Sequence, residues 1–324
     1  MTESRGEKNP GGPSLAAETS PGSDSAERLP ARIERYSRAK SRATEMRDYL
    51  RSIDSRVLAG KLAGCGNWLR FRHYYTVDKV RLAQARFCRK HLLCPLCAIR
   101  RGSKQLKAYI DRFEAIKALN GPLKAALVTL TVKNGPDLAE RFQHLADALK
   151  VLNRRRRNSK GGNGGSFSEW SKVLGFVGTF EVTRNQESHE WHPHCHIIVL
   201  HDFNQEINEG YLAFEWLQIT KDSFILDVTP LHNPEEPASD FVEVFKYACK
   251  FSELSLSDNW EAFTFLHGKR LVFSGGLFRG VDVPESLLDE PLDNLPYISL
   301  FYTYLHGAGY NLATPPNNSN PARA

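Results

Sequence analysis

The chain has 324 residues and a formal net charge of +6, and 41% of its residues are apolar, 25% charged and 10% aromatic. This length and composition are typical of a globular protein with a substantial core, built as one large domain or two ordinary ones. No uncharged apolar run reaches the length of about 18 residues that would indicate a membrane span, so a membrane-spanning protein is excluded from the expectations.

The N-terminal segment and the cysteines indicate in which cellular compartment the protein is expected. Residues 1–28 are rich in Gly, Ser, Pro and Glu and contain no apolar segment, which predicts a disordered tail rather than a secretory signal. The six cysteines are not spaced like a disulfide framework, which favours reduced thiols or metal ligands. We therefore expect a cytoplasmic protein.

Basic residues cluster in the first half of the chain, at 32–61, 89–107 and 154–157. Such clusters are typical of a surface that contacts phosphates. Each cluster, taken singly, is about equally well explained as a solvated helix face. The charge distribution is therefore compatible with a nucleic-acid partner but is not sufficient to predict one.

The predicted elements begin with helices. Apolar residues at spacings of three and four predict helices over 30–60 and 103–119. The segment between them, 65–101, holds four of the six cysteines at irregular spacing. We expect a basic, helical and cysteine-bearing N-terminal region.

From about residue 125 the apolar pattern changes its period and predicts alternating strands and helices. Strands are predicted over 125–132, 173–183, 194–200, 224–231 and 269–280, helices over 138–152, 204–221 and 241–251, and a flexible basic loop over 154–166. The short link between the second and third strands predicts an antiparallel hairpin. This order is typical of an α+β fold of the split βαβ type, with a mostly antiparallel sheet and helices on one side.

The predicted organisation has four parts. Residues 1–28 form the tail, and 29–120 form the N-terminal DNA-binding region. Residues 121–282 form the α+β domain. Residues 283–324 form a C-terminal extension with a disordered end.

The stretch EWHPHCHIIVL places three histidines on alternate positions at the start of a strand. His194 and His196 then share one face, and Cys195 points to the other, where we expect it to pack. Glu181 in the preceding strand is predicted to lie opposite His196, which would give a site for Mn²⁺ or Mg²⁺, with Zn²⁺ as an alternative. His192 could replace Glu181 as third ligand or contact DNA. The alternative is that these histidines bind nothing.

The predicted helix FVEVFKYACKF carries three polar residues on one face, Glu243, Tyr247 and Lys250. A tyrosine hydroxyl is a poor nucleophile at its ordinary pKa near 10, and a nearby cation, base or polarised target can activate it. Lys250 could supply charge, and Glu243 could act as a base or orient water. Alternatively, Glu243 caps the helix start and Tyr247 only packs.

Cys94 and Cys97 form a C-x₂-C pair, with Cys88 six residues earlier and Cys65 farther upstream. Four thiolates, or three thiolates and a nearby histidine such as His91, would complete a tetrahedral zinc site. The flanking basic residues would then face DNA. Reduced cysteines in a small core are the alternative.

Together these motifs resemble those of the HUH endonucleases. HPHCHIIV at 192–199 is similar to their His-hydrophobic-His motif, and YACK at 247–250 to their Tyr-x-x-Lys motif. LVTLTVKN at 127–134 resembles the strand motif that precedes both in rolling-circle replication initiators. With Glu243 four residues before the tyrosine, the closest likeness is to plasmid initiators with a single catalytic tyrosine. The segment 87–104 also resembles the cysteine-bearing part of these proteins.

The resemblance implies a metal-dependent nicking and joining activity on origin DNA. His194, His196 and Glu181 would hold the divalent metal on the scissile phosphate. Tyr247 would attack phosphorus and leave a 5′-phosphotyrosine and a free 3′-hydroxyl for a polymerase, without ATP. Lys250 would position phosphate.

Termination and partners follow from the same resemblance. Glu243 would direct water in the terminating cleavage, although a second tyrosine could end the cycle instead. The implied partners are supercoiled, extruded or single-stranded plasmid origin DNA and a host helicase and polymerase, with a homodimer left open and no membrane partner. Two alternatives are an HUH transposase or relaxase, and a non-catalytic zinc-dependent DNA-binding protein.

Overall fold

The computed structural model describes residues 24–160, 167–231, 241, 244, 254–281, 292 and 295–314. Most of the predicted helix 241–251 lies outside the described residues, together with Glu243, Tyr247 and Lys250. The predicted tail is described only from residue 24, where residues 24–28 form turns ahead of the first helix.

Helices and strands alternate along the described chain. The helices are α1 (Leu29–Ser52), α2 (Arg56–Ala63), α3 (Pro95–Asn120), α4 (Leu138–Lys160), α5 (Glu209–Thr220) and α6 (Leu256–Leu266). The strands are β1 (Trp68–Tyr74), β2 (Lys79–Ala85), β3 (Leu123–Thr131), β4 (Val173–Arg184), β5 (Trp191–Asp202), β6 (Leu226–Pro230), β7 (Val272–Gly276), β8 (Ile298–Leu305) and β9 (Gly309–Ala313). The predicted α+β class is confirmed.

The larger sheet has five strands in the order β6-β3-β5-β4-β7, and every neighbouring pair is antiparallel. The predicted hairpin is β4–β5, and β5 lies at the centre of the sheet. The run Ile197–Leu200 is fully buried because both faces of this central strand are covered. This explains why the strand continues as an unbroken apolar run after the histidines.

The two faces of the five-stranded sheet differ in character. Helix α4 packs on one face, where the rings of Phe142 and Phe180 lie 5.2 Å apart. Residues alternate between faces along β4, so Thr179 and Glu181 lie on the opposite face. There the Thr179 hydroxyl donates to the Val244 carbonyl at 2.6 Å. This second face is apolar at Val177 and Ile198 and polar at Thr179 and Glu181; we call it the polar face because it carries the residues that the sequence singled out.

A second sheet, in the order β2-β1-β8-β9, joins both ends of the described chain. β1 pairs with β8 from Trp68–Thr303 to His73–Ile298. The Tyr310 hydroxyl donates to the Gly66 carbonyl, and the Tyr310 amide donates to Ser37 on α1 at 2.9 Å. The predicted C-terminal extension thus supplies two strands to the predicted N-terminal region.

Three local predictions need correction. The helix predicted over 30–60 breaks after Ser52, where Asp54 takes a positive φ of 58°. The helix predicted over 103–119 begins earlier, at Pro95, because proline is well suited to a first helical turn. The basic stretch 154–160 belongs to α4 rather than to a loop.

None of the described helices has the length and apolar character that crossing a membrane requires.

Candidate metal centres

The β4–β5 hairpin brings Glu181, His194 and His196 together on the polar face of the five-stranded sheet. Glu181 pairs across the hairpin with His194, and Thr179 pairs with His196. The prediction that Glu181 lies opposite His196 is therefore wrong by two residues. The turn is centred earlier than expected because the Asn185 side chain accepts hydrogen bonds from two backbone amides just after it. We call this trio the His–Glu site.

Distances within the His–Glu site fit a shared cation. His194 Nε2 lies 3.3 Å from Glu181 Oε1, and His196 Nε2 lies 3.6 Å from Glu181 Oε2. Both separations exceed the roughly 2.7–3.2 Å of a good N–H···O hydrogen bond. Two ligands about 2.1 Å from one metal ion lie roughly 3.0–3.4 Å apart at the usual coordination angles, so the His194 separation falls in this range and the His196 separation is slightly longer. Glu181 is only 2% exposed, and a bound cation would balance the charge of its buried carboxylate.

Neighbouring groups orient both imidazoles. His194 Nδ1 lies 3.3 Å from the His192 carbonyl, a long contact in which only the ring nitrogen can donate. His196 Nδ1 lies 3.0 Å from the Thr129 hydroxyl on β3. Each interaction leaves Nε2 as the nitrogen that faces Glu181, as histidine ligands require. Thr129 was not among the predicted site residues. The signal that could have found it is the pair of alternating threonines, Thr129 and Thr131, in the segment LVTLTVKN that resembles a family motif.

The other two residues of the histidine stretch have different surroundings. His192 Nδ1 bonds the side chain of Asn134, and His192 is outside the group of ligand atoms that converge. Cys195 is fully buried on the opposite face of the strand, and burial raises the pKa of its thiol. This confirms the expectation that Cys195 points to the other face of the strand and packs there.

The predicted helix that carries Tyr247 is connected to the His–Glu site through one described residue, Val244. Tyr247, Glu243 and Lys250 lie outside the described residues. Val244, between Glu243 and Tyr247 in the chain, accepts the Thr179 hydroxyl hydrogen bond, and Thr179 is the cross-strand partner of His196.

A second ligand group forms where α2, β2 and α3 meet. One ligand sulfur from each of Cys65, Cys88, Cys94 and Cys97 lies within 4.8 Å of the others, and all four thiols are free. The Cys65–Cys94, Cys65–Cys97 and Cys88–Cys97 sulfur separations are 3.5, 3.7 and 3.5 Å. A tetrahedral Zn²⁺ with bonds of about 2.3 Å would place its sulfurs about 3.8 Å apart. We call this group the cysteine cluster.

Two basic side chains near the cysteine cluster, Lys40 and His91, have different relations to it. The buried Lys40 ammonium donates to the Cys65 carbonyl at 2.6 Å and to the Asn67 side chain at 2.8 Å. Burial lowers the Lys40 pKa, while the nearby thiols act in the opposite direction. His91 is not in the cluster, and burial lowers its pKa to about 4. The geometry therefore favours four sulfur ligands over three sulfurs and a histidine.

Sequence comparison decides the family. A family model described as a replication protein matches residues 79–296, about two thirds of the chain. This range includes the His–Glu site and every member of the cysteine cluster except Cys65.

The chain belongs to the plasmid replication initiator (Rep) family. The Rep protein of Streptococcus pneumoniae serotype 2 (strain D39 / NCTC 7466) is 28% identical over 261 residues, which are 75% of this chain and 77% of the relative. The Rep protein of Staphylococcus aureus is 22% identical over 229 residues, 68% of this chain and 94% of the relative. A Bacillus sp. Rep protein is 29% identical over 177 residues, about half of each protein. No solved structure matches the chain.

Proposed function

We propose that this Rep-family chain starts rolling-circle replication by binding plasmid origin DNA and nicking it with a tyrosine nucleophile. The His–Glu site carries the proposal, because it combines a buried carboxylate with two imidazoles whose Nε2 atoms face it. Such a site beside the segment that bears Tyr247 matches the needs of phosphoryl transfer. Membership of the Rep family supports the replication role.

The proposed cofactor of the His–Glu site is a divalent cation, Mn²⁺ or Mg²⁺, with Zn²⁺ as the alternative. His194, His196 and Glu181 would hold it, and this N/O ligand set leaves coordination positions for an oxygen of the substrate. When bound, the cation would polarise the scissile phosphate. Thr129 and the His192 carbonyl keep the imidazoles in the binding orientation.

The proposed nucleophile is Tyr247. Its hydroxyl loses the proton and bonds to phosphorus, while the bond from phosphorus to the 3′ oxygen breaks and that oxygen gains a proton. The products are a 5′-phosphotyrosine and a 3′-hydroxyl, and no ATP is needed because the phosphotyrosine bond replaces the broken phosphodiester. Lys250 would balance charge on the phosphate, and Glu243 would serve as a base or direct water in the terminating cleavage.

The cysteine cluster has a structural place in this proposal. A zinc ion held by its four sulfurs would fix the start of α3 against β2, which is how closed zinc sites contribute to folding. Basic residues next to the cluster would face origin DNA. A host helicase and polymerase would act on the nicked plasmid in the cytoplasm, and a homodimer on the origin is compatible with the proposal.

A covalent-adduct assay tests the proposal. Purified full-length protein is mixed with Mn²⁺ or Mg²⁺ and supercoiled plasmid that carries the gene and its flanking DNA. We expect relaxed circles and DNA that remains on the protein through boiling in detergent. Tyr247→Phe should abolish the adduct, whereas Tyr211→Phe should keep it, since Tyr211 is exposed on α5.

The other outcomes are equally informative. An adduct with Tyr247→Phe would move the nucleophile elsewhere. Tight binding without an adduct in the wild-type protein would favour the non-catalytic zinc-dependent DNA-binding protein. Cleavage without preference for the origin would favour the transposase or relaxase alternative.

A further inference from the structure

A groove lies on the face of the five-stranded sheet opposite the His–Glu site. It runs between α4 and β7 and has a volume of about 580 Å³, within the range of ligand-binding clefts. Its lining includes four phenylalanines, Phe142, Phe176, Phe180 and Phe273. Phe180 directly precedes Glu181 on β4, so the groove and the metal ligands use opposite sides of the same strand.

Glycines let the aromatic rings lie close to the strands. A Cβ at Gly178 would lie 2.7 Å from the Phe273 ring, and one at Gly275 would lie 2.4 Å from the Phe176 ring. Phe273 packs on Phe180 with ring centres 4.9 Å apart and is itself only half-buried. Phe142, Phe176 and Phe180 are buried and the four rings are tilted against one another. The floor of the groove is therefore aromatic, and the Phe273 ring is the part of it that is open to a further ring.

The rim of the groove is cationic, and no described residue that lines the groove is acidic. The rim cations are Lys150, Arg156, Arg157, Lys269, Arg270 and Arg279. Arg156 donates to the carbonyls of Val173 and Leu174 at 2.6 and 3.0 Å, and its guanidinium lies 5.4 Å from the Phe176 ring centre. The other five cations are exposed, and Lys150 among them pairs with Asp147 at 2.8 Å.

We propose that this groove binds a single-stranded segment of nucleic acid, separate from the segment at the His–Glu site. Rim cations would contact phosphates, and an unstacked base would lie on the aromatic floor. A duplex presents phosphates and base edges but keeps its base faces stacked, so it would leave the floor unused. This proposal rests on the proposed function for its substrate, since nicking and unwinding produce a single strand beside the protein.

A second basic cleft continues from the groove through Lys269. Its lining includes Arg89 and Lys90, which lie between Cys88 and Cys94, and Arg101 on α3, and again no acidic residue among those described. The two clefts together form a cationic path from the back of the five-stranded sheet to the N-terminal region. A strand longer than one or two nucleotides could follow this path.

Binding measurements on two variants test the groove. The probe is a labelled mixed-sequence strand of about 20 nucleotides, and the same sequence as a duplex serves for comparison. All proteins carry Tyr247→Phe so that covalent trapping does not enter the binding curve. Phe273→Leu should weaken single-strand binding at least about fivefold and leave duplex binding unchanged, because a leucine offers no ring on which a base can stack.

The charge variant is the Arg157→Ala and Arg279→Ala double substitution. It should weaken single-strand binding at least about tenfold and reduce the slope of log affinity against log salt by about 0.7 for each phosphate that the protein no longer neutralises. Arg154→Ala is the matched control, since Arg154 is exposed in the same arginine run but does not line the groove. Thermal melting of each variant checks that the fold is intact.

Unchanged single-strand binding in both variants would overturn the groove proposal, as would an equal loss of single-strand and duplex binding. Neither result depends on nicking. Loss of the nicking adduct in the wild-type protein, with the groove effects intact, would instead overturn the proposed function alone.

Discussion

At the scale of single residues, the proposed metal site depends on which nitrogen of each histidine faces Glu181. The His192 carbonyl contacts Nδ1 of His194, and the Thr129 hydroxyl contacts Nδ1 of His196. The backbone carbonyl cannot be removed by substitution, but the hydroxyl can. Thr129 is therefore the residue through which the orientation of His196 can be tested.

Thr129→Val should weaken Mn²⁺ binding about tenfold, because an imidazole without its Nδ1 partner loses its fixed orientation. Titration calorimetry or the Mn²⁺ resonance signal measures this directly and does not require DNA. Glu181→Gln, which removes a ligand, should have the larger effect. Thr264→Val, at an exposed helix position, is the control. Equal Mn²⁺ affinity in Thr129→Val and wild type would contradict the proposed orientation.

The sequence was sufficient to predict that His194 and His196 share a face, because side chains alternate along a strand. It was also sufficient to select Glu181, but not its register. The register depends on how the turn closes, and the Asn185 side chain closes it early. Thr129 was missed because its interaction with His196 crosses between strands 67 positions apart in the chain.

At the scale of elements, the start of α3 supplies two members of the cysteine cluster. Cys94 is the N-cap residue and Pro95 opens the helix, so Cys94 and Cys97 lie on its first turn. Cys88 enters from the end of β2, and its backbone amide donates to Cys65 at 3.3 Å. Metal binding here would add to the contacts that already join these elements, among them the 2.7 Å hydrogen bond from the Gly66 amide to the Arg86 carbonyl and the buried Leu62 and Leu96.

We expect one zinc ion per chain in the purified protein and none in the Cys94→Ser and Cys97→Ser double variant. Cys195→Ala should retain its zinc, because Cys195 lies in the core of the five-stranded sheet. Atomic emission gives the stoichiometry. Removal of the zinc with a strong chelator should lower the melting temperature, since structural zinc contributes folding free energy. Zinc-free wild-type protein with unchanged melting would contradict the assignment.

The sequence predicted the elements of the five-stranded sheet better than those of the N-terminal region. β3, β4 and β5 have long β-branched or apolar runs, which are strong signals. β1 and β2 alternate apolar with basic residues over only four positions each, 69–72 and 79–82, and lie among cysteines. So short a pattern is a weak signal for a strand. The pairing of β1 with β8, from the other end of the chain, cannot be predicted from local sequence.

At the scale of the whole molecule, the two ends of the described chain depend on each other. β8 pairs with β1 along nearly the whole length of β1, from Trp68 to His73. The rings of Phe71 and Tyr302 pack edge to face with centres 5.9 Å apart. Without β8 and β9, β1 and β2 would be a lone pair of strands, which is marginal in water. The predicted N-terminal region and C-terminal extension are therefore joined in one sheet.

Deletion of residues 297–324 should destabilise the protein by more than about 3 kcal/mol, because fully buried side chains such as Leu69 and Phe71 would lose their cover. Urea unfolding measures the change. Deletion of residues 315–324, which removes neither strand, should leave the midpoint unchanged. Equal stability of the two truncated proteins would show that β8 and β9 are not part of the core.

The central claim is that Tyr247 becomes linked to the 5′ end of nicked origin DNA, and peptide mass spectrometry tests it most directly. The adduct is formed with Mn²⁺, the DNA is digested with nuclease, and the protein is cleaved into peptides. We expect a nucleotide phosphate on the peptide that contains Tyr247, absent when Glu181→Gln protein is used. A nucleotide on any other side chain, or an unmodified Tyr247 peptide in protein that nicks, would contradict the claim.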